Sequence, residues 1–131
     1  MQATLVITLV LHVLSGVFWA GSTFALARIG GNLAQQLFRP QMGAATVAIV
    51  TGGVLGFLLH HGTPGIQEYL LAIGALCAFL AAGVQGASAH VVRQLSAGDA
   101  IAAGSGVATS QRIAAALLAV TVICMAAARY A

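Results

Sequence analysis

The chain has 131 residues, 60% of them apolar and only 5% charged, with a formal net charge of +3. Its mean hydropathy is +1.02. Soluble domains carry about a quarter charged residues, so five arginines, Glu68 and Asp99 cannot cover a water-exposed surface of this size. The scattered positive charge, with no basic patch, excludes an electrostatic nucleic-acid binder, and the hydropathy excludes a soluble enzyme. The natural solvent is a lipid bilayer.

Apolar runs predict transmembrane helices over about 4–27, 42–60, 68–90 and 111–129, forming one transmembrane domain across 1–131. Each is near the ~20 residues that cross a hydrocarbon core, and backbone groups in lipid must be satisfied within the helix. The first run lacks a basic leading segment and is too long for a signal-peptide core, so it reads as a retained helix. Within it, LHVLSGVFWAGSTF places His12 among apolar residues. Helical spacing puts Thr8, Ser15, Gly16, Trp19, Ser22 and Thr23 on the His12 side, with Leu9, Val13 and Val17 opposite. His12 is therefore expected to face the bundle interior.

The first connection, RIGGNLAQQLFRPQ, is read as a loop: Gly30 and Gly31 break the helix, and Pro40 favours an extended Arg39. The second helix carries a small face at Ala45, Ala48 or Ile49, Gly52 and Gly56, and ends at His60 and His61. HHGTPGIQE is a tight turn-rich link, with Glu68 at the interface. The third helix has small residues at Gly74, Ala78 and Ala81 or Ala82, with Cys77 nearby and Gln85 able to tie helices together. The third connection, VVRQLSAGDAIAAGSGVATSQ, is read as a long loop, or as a continuation of the third helix as far as Leu95. Ser110 is the expected cap of the fourth helix, which carries Ala115, Ala119, Ala126, Cys124 and Met125. Short connections predict an all-α, antiparallel four-helix bundle in the membrane. Arg28, Arg39, Arg93 and Arg112 fall in the first and third connections, so those face the cytoplasm and both termini the other side. The expected location is a bacterial inner membrane.

In this topology His12, His60, His61, Cys77, Cys124 and Met125 share the outer half of the bundle. Two cofactor chemistries fit them. A b-type haem would take His12 with His60 or His61 as axial ligands. Copper would take His12, Cys77, Cys124 and Met125, soft donors with an imidazole. Plainer roles stand beside these: His12 bonded to a serine, a backbone carbonyl or Gln85; His60 and His61 on helix C-terminal carbonyls; the cysteines as small apolar residues. No paired carboxylates and no Ser–His–Asp set suggest catalysis.

The run His12–Val13–Leu14–Ser15–Gly16–Val17–Phe18–Trp19–Ala20–Gly21–Ser22 resembles the first helix of small membrane proteins related to the copper-resistance D family. The integral-membrane protoporphyrinogen oxidase group opens similarly. The resemblance implies a helix bundle with links to haem or copper, touching this chain at His12. The oxidase group also has a basic position in its third helix, where this chain has Gln85 and no lysine. The expected functions are therefore electron transfer or cofactor handling on haem b or copper, an accessory or structural subunit of a larger membrane complex, or a small transporter or pore-forming homo-oligomer.

Overall fold

The computed structural model describes residues 1–29, 33–59, 62, 65–94 and 100–131, the side chains of 34–35, 91–94 and 100–104 excepted. The chain is all-α: α1 (Gln2–Ile29), α2 (Leu33–Leu59), α3 (Ile66–Gln94) and α4 (Ala100–Ala128). Four segments, Gln2–Ile29, Gln36–Leu59, Ile66–His90 and Ser105–Ala128, are long and apolar enough to cross a membrane. The helices form a ring in chain order. Packing is most extensive between α3 and α4, then between α1 and α2; α4 closes on α1, and the α2–α3 seam is the thinnest.

The radial pattern is that of a bundle in lipid. Large side chains such as Leu14, Val17, Phe57, Leu76 and Ile123 point outward. Inside, Trp19 packs among Ala45, Ala48, Ala78, Ala81, Ala114 and Leu118. Apolar surface gains nothing by leaving lipid for protein, so close approach of backbones through small residues must hold such helices together. Gly74 is one such close approach between α3 and α4. A Cβ built there would lie 3.3 Å from Cys124 Cβ and 3.4 Å from the Thr121 carbonyl oxygen. The Thr121 hydroxyl, which also bonds Leu117 O in its own helix, donates across the seam to Gly74 O at 3.0 Å.

Two helix starts differ from the sequence expectation. α2 begins at Leu33, so Arg39 is helical and Pro40 lies inside the helix rather than ahead of it. A proline there removes one backbone donor, and the Leu, Ala and Gln residues before it are good helix formers. α4 begins at Ala100, so much of the expected third loop is helical and Arg112 lies within a span. Ser110 is accordingly no cap; its hydroxyl bonds the Val107 carbonyl at 2.8 Å within the helix. α3 extends to Gln94, as the longer reading of that helix anticipates. Ala126 is exposed, off the buried stripe of α4 that runs through Gln111, Ala114, Leu118, Thr121 and Cys124.

The start of α3 is capped locally. Glu68 Oε2 accepts the Gly65 N–H at 2.7 Å, and Gly65 O accepts the Tyr69 N–H at 3.2 Å. A third-position glutamate reaching back to the cap residue satisfies a donor that the helix leaves unpaired.

Candidate functional site

Two polar features stand out among the described residues of the helices. The first is His12, half-buried on α1 and turned toward α2. Its Nδ1 lies 2.9 Å from the Ala48 carbonyl oxygen and 3.2 Å from Thr51 Oγ1. A carbonyl oxygen only accepts, so Nδ1 carries a proton and donates it to Ala48 O. The Thr51 hydroxyl donates its own proton to the Val47 carbonyl at 2.6 Å, which leaves it free to accept from the imidazole. Gly52 forms the seat of the ring: a Cβ built there would stand 2.9 Å from His12 Cε1 and 3.4 Å from Nδ1. The nearby Ser15 hydroxyl bonds the Leu11 and His12 carbonyls, not the ring.

The second is a buried network contributed by all four helices. Trp19 Nε1–H donates to Gln85 Oε1 at 2.8 Å. Gln85 Nε2 donates to Thr23 Oγ1 and to Gln111 Oε1, each at 3.0 Å. Gln41 Nε2 donates to Thr23 Oγ1 at 2.8 Å. Gln41 and Gln111 also face each other amide to amide, with reciprocal bonds of 3.4 Å. Thr23 completes the set by donating to the Trp19 carbonyl at 2.7 Å. Its hydroxyl oxygen thus accepts two protons and gives one, the full capacity of that group. Trp19, Thr23, Gln41, Gln85 and Gln111 are all almost completely buried.

This network has a definite depth. Gln41 and Gln111 lie five and six residues inside the spans that open at Gln36 and Ser105, and Gln85 lies five residues before the span end at His90. At ~1.5 Å per residue each sits roughly 8–9 Å inside the end of its span, the end of the bundle at which α1 carries Arg28 and α2 Arg39. His12, ten residues from the start of α1, is nearer the middle. Side-chain amides do not ionise at ordinary pH. The network therefore fixes helix position and register.

The expected cofactor residues are distributed as follows. Cys124 is buried on the α3–α4 seam against Gly74, whereas His12 is on the α1–α2 seam. Cys77 and Met125 are half-buried. Both cysteines are free thiols. Among the described residues no three His, Cys, Asp or Glu side chains converge to hold a metal ion, so His12, Cys77 and Cys124 form no such set. His60 and His61 lie outside the described residues. Gln85 does tie helices together. Gln41 and Gln111 are the residues that sequence reasoning misses, because both fall in stretches read as loop or boundary. Their signal is a glutamine adjoining an unbroken Ala-rich or apolar helical run. The chain matches no protein-family model, no curated protein and no solved structure.

Proposed function

We propose that this protein is a non-catalytic accessory or structural subunit that assembles with other membrane helices through its outer surface. The observation that carries this reading is the set of glycines for which the single chain has no use. Gly52 and Gly74 are filled against His12 and Cys124, but a Cβ at Gly21, Gly43, Gly53 or Gly83 would meet nothing within 4 Å. All four are exposed within helices. A helix-interior glycine costs ~1 kcal/mol relative to alanine, and nothing inside the chain offsets that. Small residues on a lipid-facing stripe let a foreign backbone approach closely. On α2 the stripe Gly43–Thr46–Val50–Gly53–Phe57 is exposed throughout with alternating three- and four-residue spacing. The interior, joined by neutral amides, supports a rigid scaffold over a transport path.

Extraction from native membranes in mild detergent, followed by native-gel sizing and mass spectrometry, tests this. The expected species is larger than the single chain, and Gly43→Leu with Gly53→Leu reduces it to the single chain without lowering the melting temperature. Recovery of the unaltered protein at the mass of one chain overturns the reading.

A second reading, a haem- or copper-handling bundle, is favoured by one observation. The Nδ1–H of His12 is fixed on the Ala48 carbonyl, and a histidine that ligates a metal is commonly oriented through a hydrogen bond of its other nitrogen in this way. The resemblance of the first helix points to the same residue. A Soret band, or stoichiometric copper, that disappears with His12→Ala would establish it; a colourless, metal-free protein with stoichiometric partner subunits would rule it out.

A further inference from the structure

We infer that the groove between α1 and α4 at the arginine end binds the headgroup of an anionic phospholipid, with Arg28 and Arg112 holding the phosphate and the apolar walls holding the upper acyl chain. The inference is independent of the accessory-subunit reading. The groove, roughly 530 Å³, is lined by Phe24, Ala27 and Arg28 from α1 and by Arg112, Ala115 and Ala116 from α4. Each helix thus contributes residues with the spacing i, i+3, i+4, one arginine and two apolar positions, so the two lining faces match in chemistry. The alanines leave the width that a larger side chain would close.

Arg112 brings a second positive charge to the groove. It lies seven residues inside the Ser105–Ala128 span by sequence, but its contact with Ala27, two residues before the end of the Gln2–Ile29 span, sets its exposed side chain at that end of α1. It leans across to α1, where Nε donates to the Ala27 carbonyl at a long 3.5 Å. Ala27 is in the last turn of α1, whose terminal carbonyls lack helical partners and carry partial negative charge. That contact engages Nε and keeps Arg112 on the groove that Arg28 also lines; Arg28 is exposed and likewise in the last turn of α1. Two positive groups on one groove repel unless an anion lies between them. Glu68 sits at the opposite end of the bundle, and Asp99 lies outside the described residues.

The apolar walls select the source of the anion. A free phosphate would use the arginines but gain nothing from Phe24, Ala115 and Ala116. A phospholipid uses both, and its phosphate lies at the interfacial depth of the last turn of α1. Basic pockets between transmembrane helices hold acidic headgroups in this manner, and an arginine fork suits a phosphate.

The test uses the full chain in detergent, exposed to an equimolar mixture of phosphatidylglycerol and phosphatidylcholine and analysed by native mass spectrometry. Each arginine near an anionic headgroup favours it by about fivefold, so the pair gives about a thirtyfold preference for phosphatidylglycerol. Arg28→Gln, which removes no hydrogen bond within the described fold, should lower that preference about fivefold. Arg28→Gln with Arg112→Gln should abolish it, Arg112→Lys should keep most of it, and Arg39→Gln should leave it unchanged. Equal retention of the two lipids, or a preference untouched by Arg28→Gln, overturns the proposal. So does displacement of the lipid by millimolar inorganic phosphate, which would identify a free-anion site.

Discussion

At the scale of single residues, the imidazole of His12 and the bare backbone of Gly52 are one unit. A methyl group at Gly52 would stand 2.9 Å from Cε1, so either the ring or α2 must shift. Overpacking of this kind costs about 1–3 kcal/mol, against which alanine regains ~1 kcal/mol of helix propensity. Gly52→Ala is therefore expected to destabilise by up to about 2 kcal/mol, whereas adding it to His12→Ala should stabilise, because the obstacle is gone. A double-mutant cycle in detergent, read by unfolding midpoints, checks this; additive effects would refute the contact. The sequence makes half of this arrangement legible. The polar helical face turns His12 inward, and small spacing places Gly52 on a packing face. What periodicity cannot give is the partner, since a backbone carbonyl such as that of Ala48 has no side-chain signature.

At the scale of elements, the helices are legible in their hydropathy and illegible in their ends. The spans of α1 and α3 follow from uncharged apolar runs, but α2 and α4 start earlier than polarity suggests. Arg39, Pro40, Ser110 and Arg112 are helical because local propensity and the neighbouring helices outweigh each residue's own preference. This is why Gln41 and Gln111 escape a sequence reading: placed at the boundary between a connection and a helix, they have no reason to face the core. Packing between elements is more predictable. The small residues Gly74, Ala78 and Ala81 do lie on the buried face of α3, and α4 packs closely on Gly74. Gly74→Leu should force the helices apart and break the 3.0 Å Thr121–Gly74 bond, at a cost of about 3 kcal/mol. Gly74→Ala should be near neutral, because its 3.3 Å contact with Cys124 Cβ needs only a small shift while propensity improves by ~1 kcal/mol. Equal losses for both variants, measured by thermal unfolding, would show that the seam is not limited by backbone approach.

At the scale of the whole molecule, the buried amides decide how the helices stand relative to one another. Apolar contacts against lipid are weakly specific, so a ring of helices with Ala-rich interfaces could slide or rotate at little cost. A network that takes Trp19 and Thr23 from α1, Gln41 from α2, Gln85 from α3 and Gln111 from α4 is satisfied in one register only. Gln85 joins three other side chains of the network, those of Trp19, Thr23 and Gln111. Gln85→Leu should therefore do more than remove bonds; it leaves the Trp19 N–H buried and unpaired, a penalty of about 1–3 kcal/mol. The magnitude belongs at the lower end, since polar groups of an unfolded chain in a bilayer also find partners and measured membrane hydrogen bonds average ~0.6 kcal/mol. If the unpaired indole donor is the source of the loss, Trp19→Phe in the Gln85→Leu background removes it and should recover part of the stability, although Trp19→Phe alone destabilises. Circular dichroism of the four proteins during detergent unfolding provides the comparison. Trp19 is the sole tryptophan, so its emission in the Gln85→Leu protein gives a second readout, shifting to the blue as the indole loses its hydrogen bond. Additive losses in the double variant, with an unmoved emission maximum, would mean that the indole–amide bond does not couple α1 to α3 and that the register is held by small-residue packing alone.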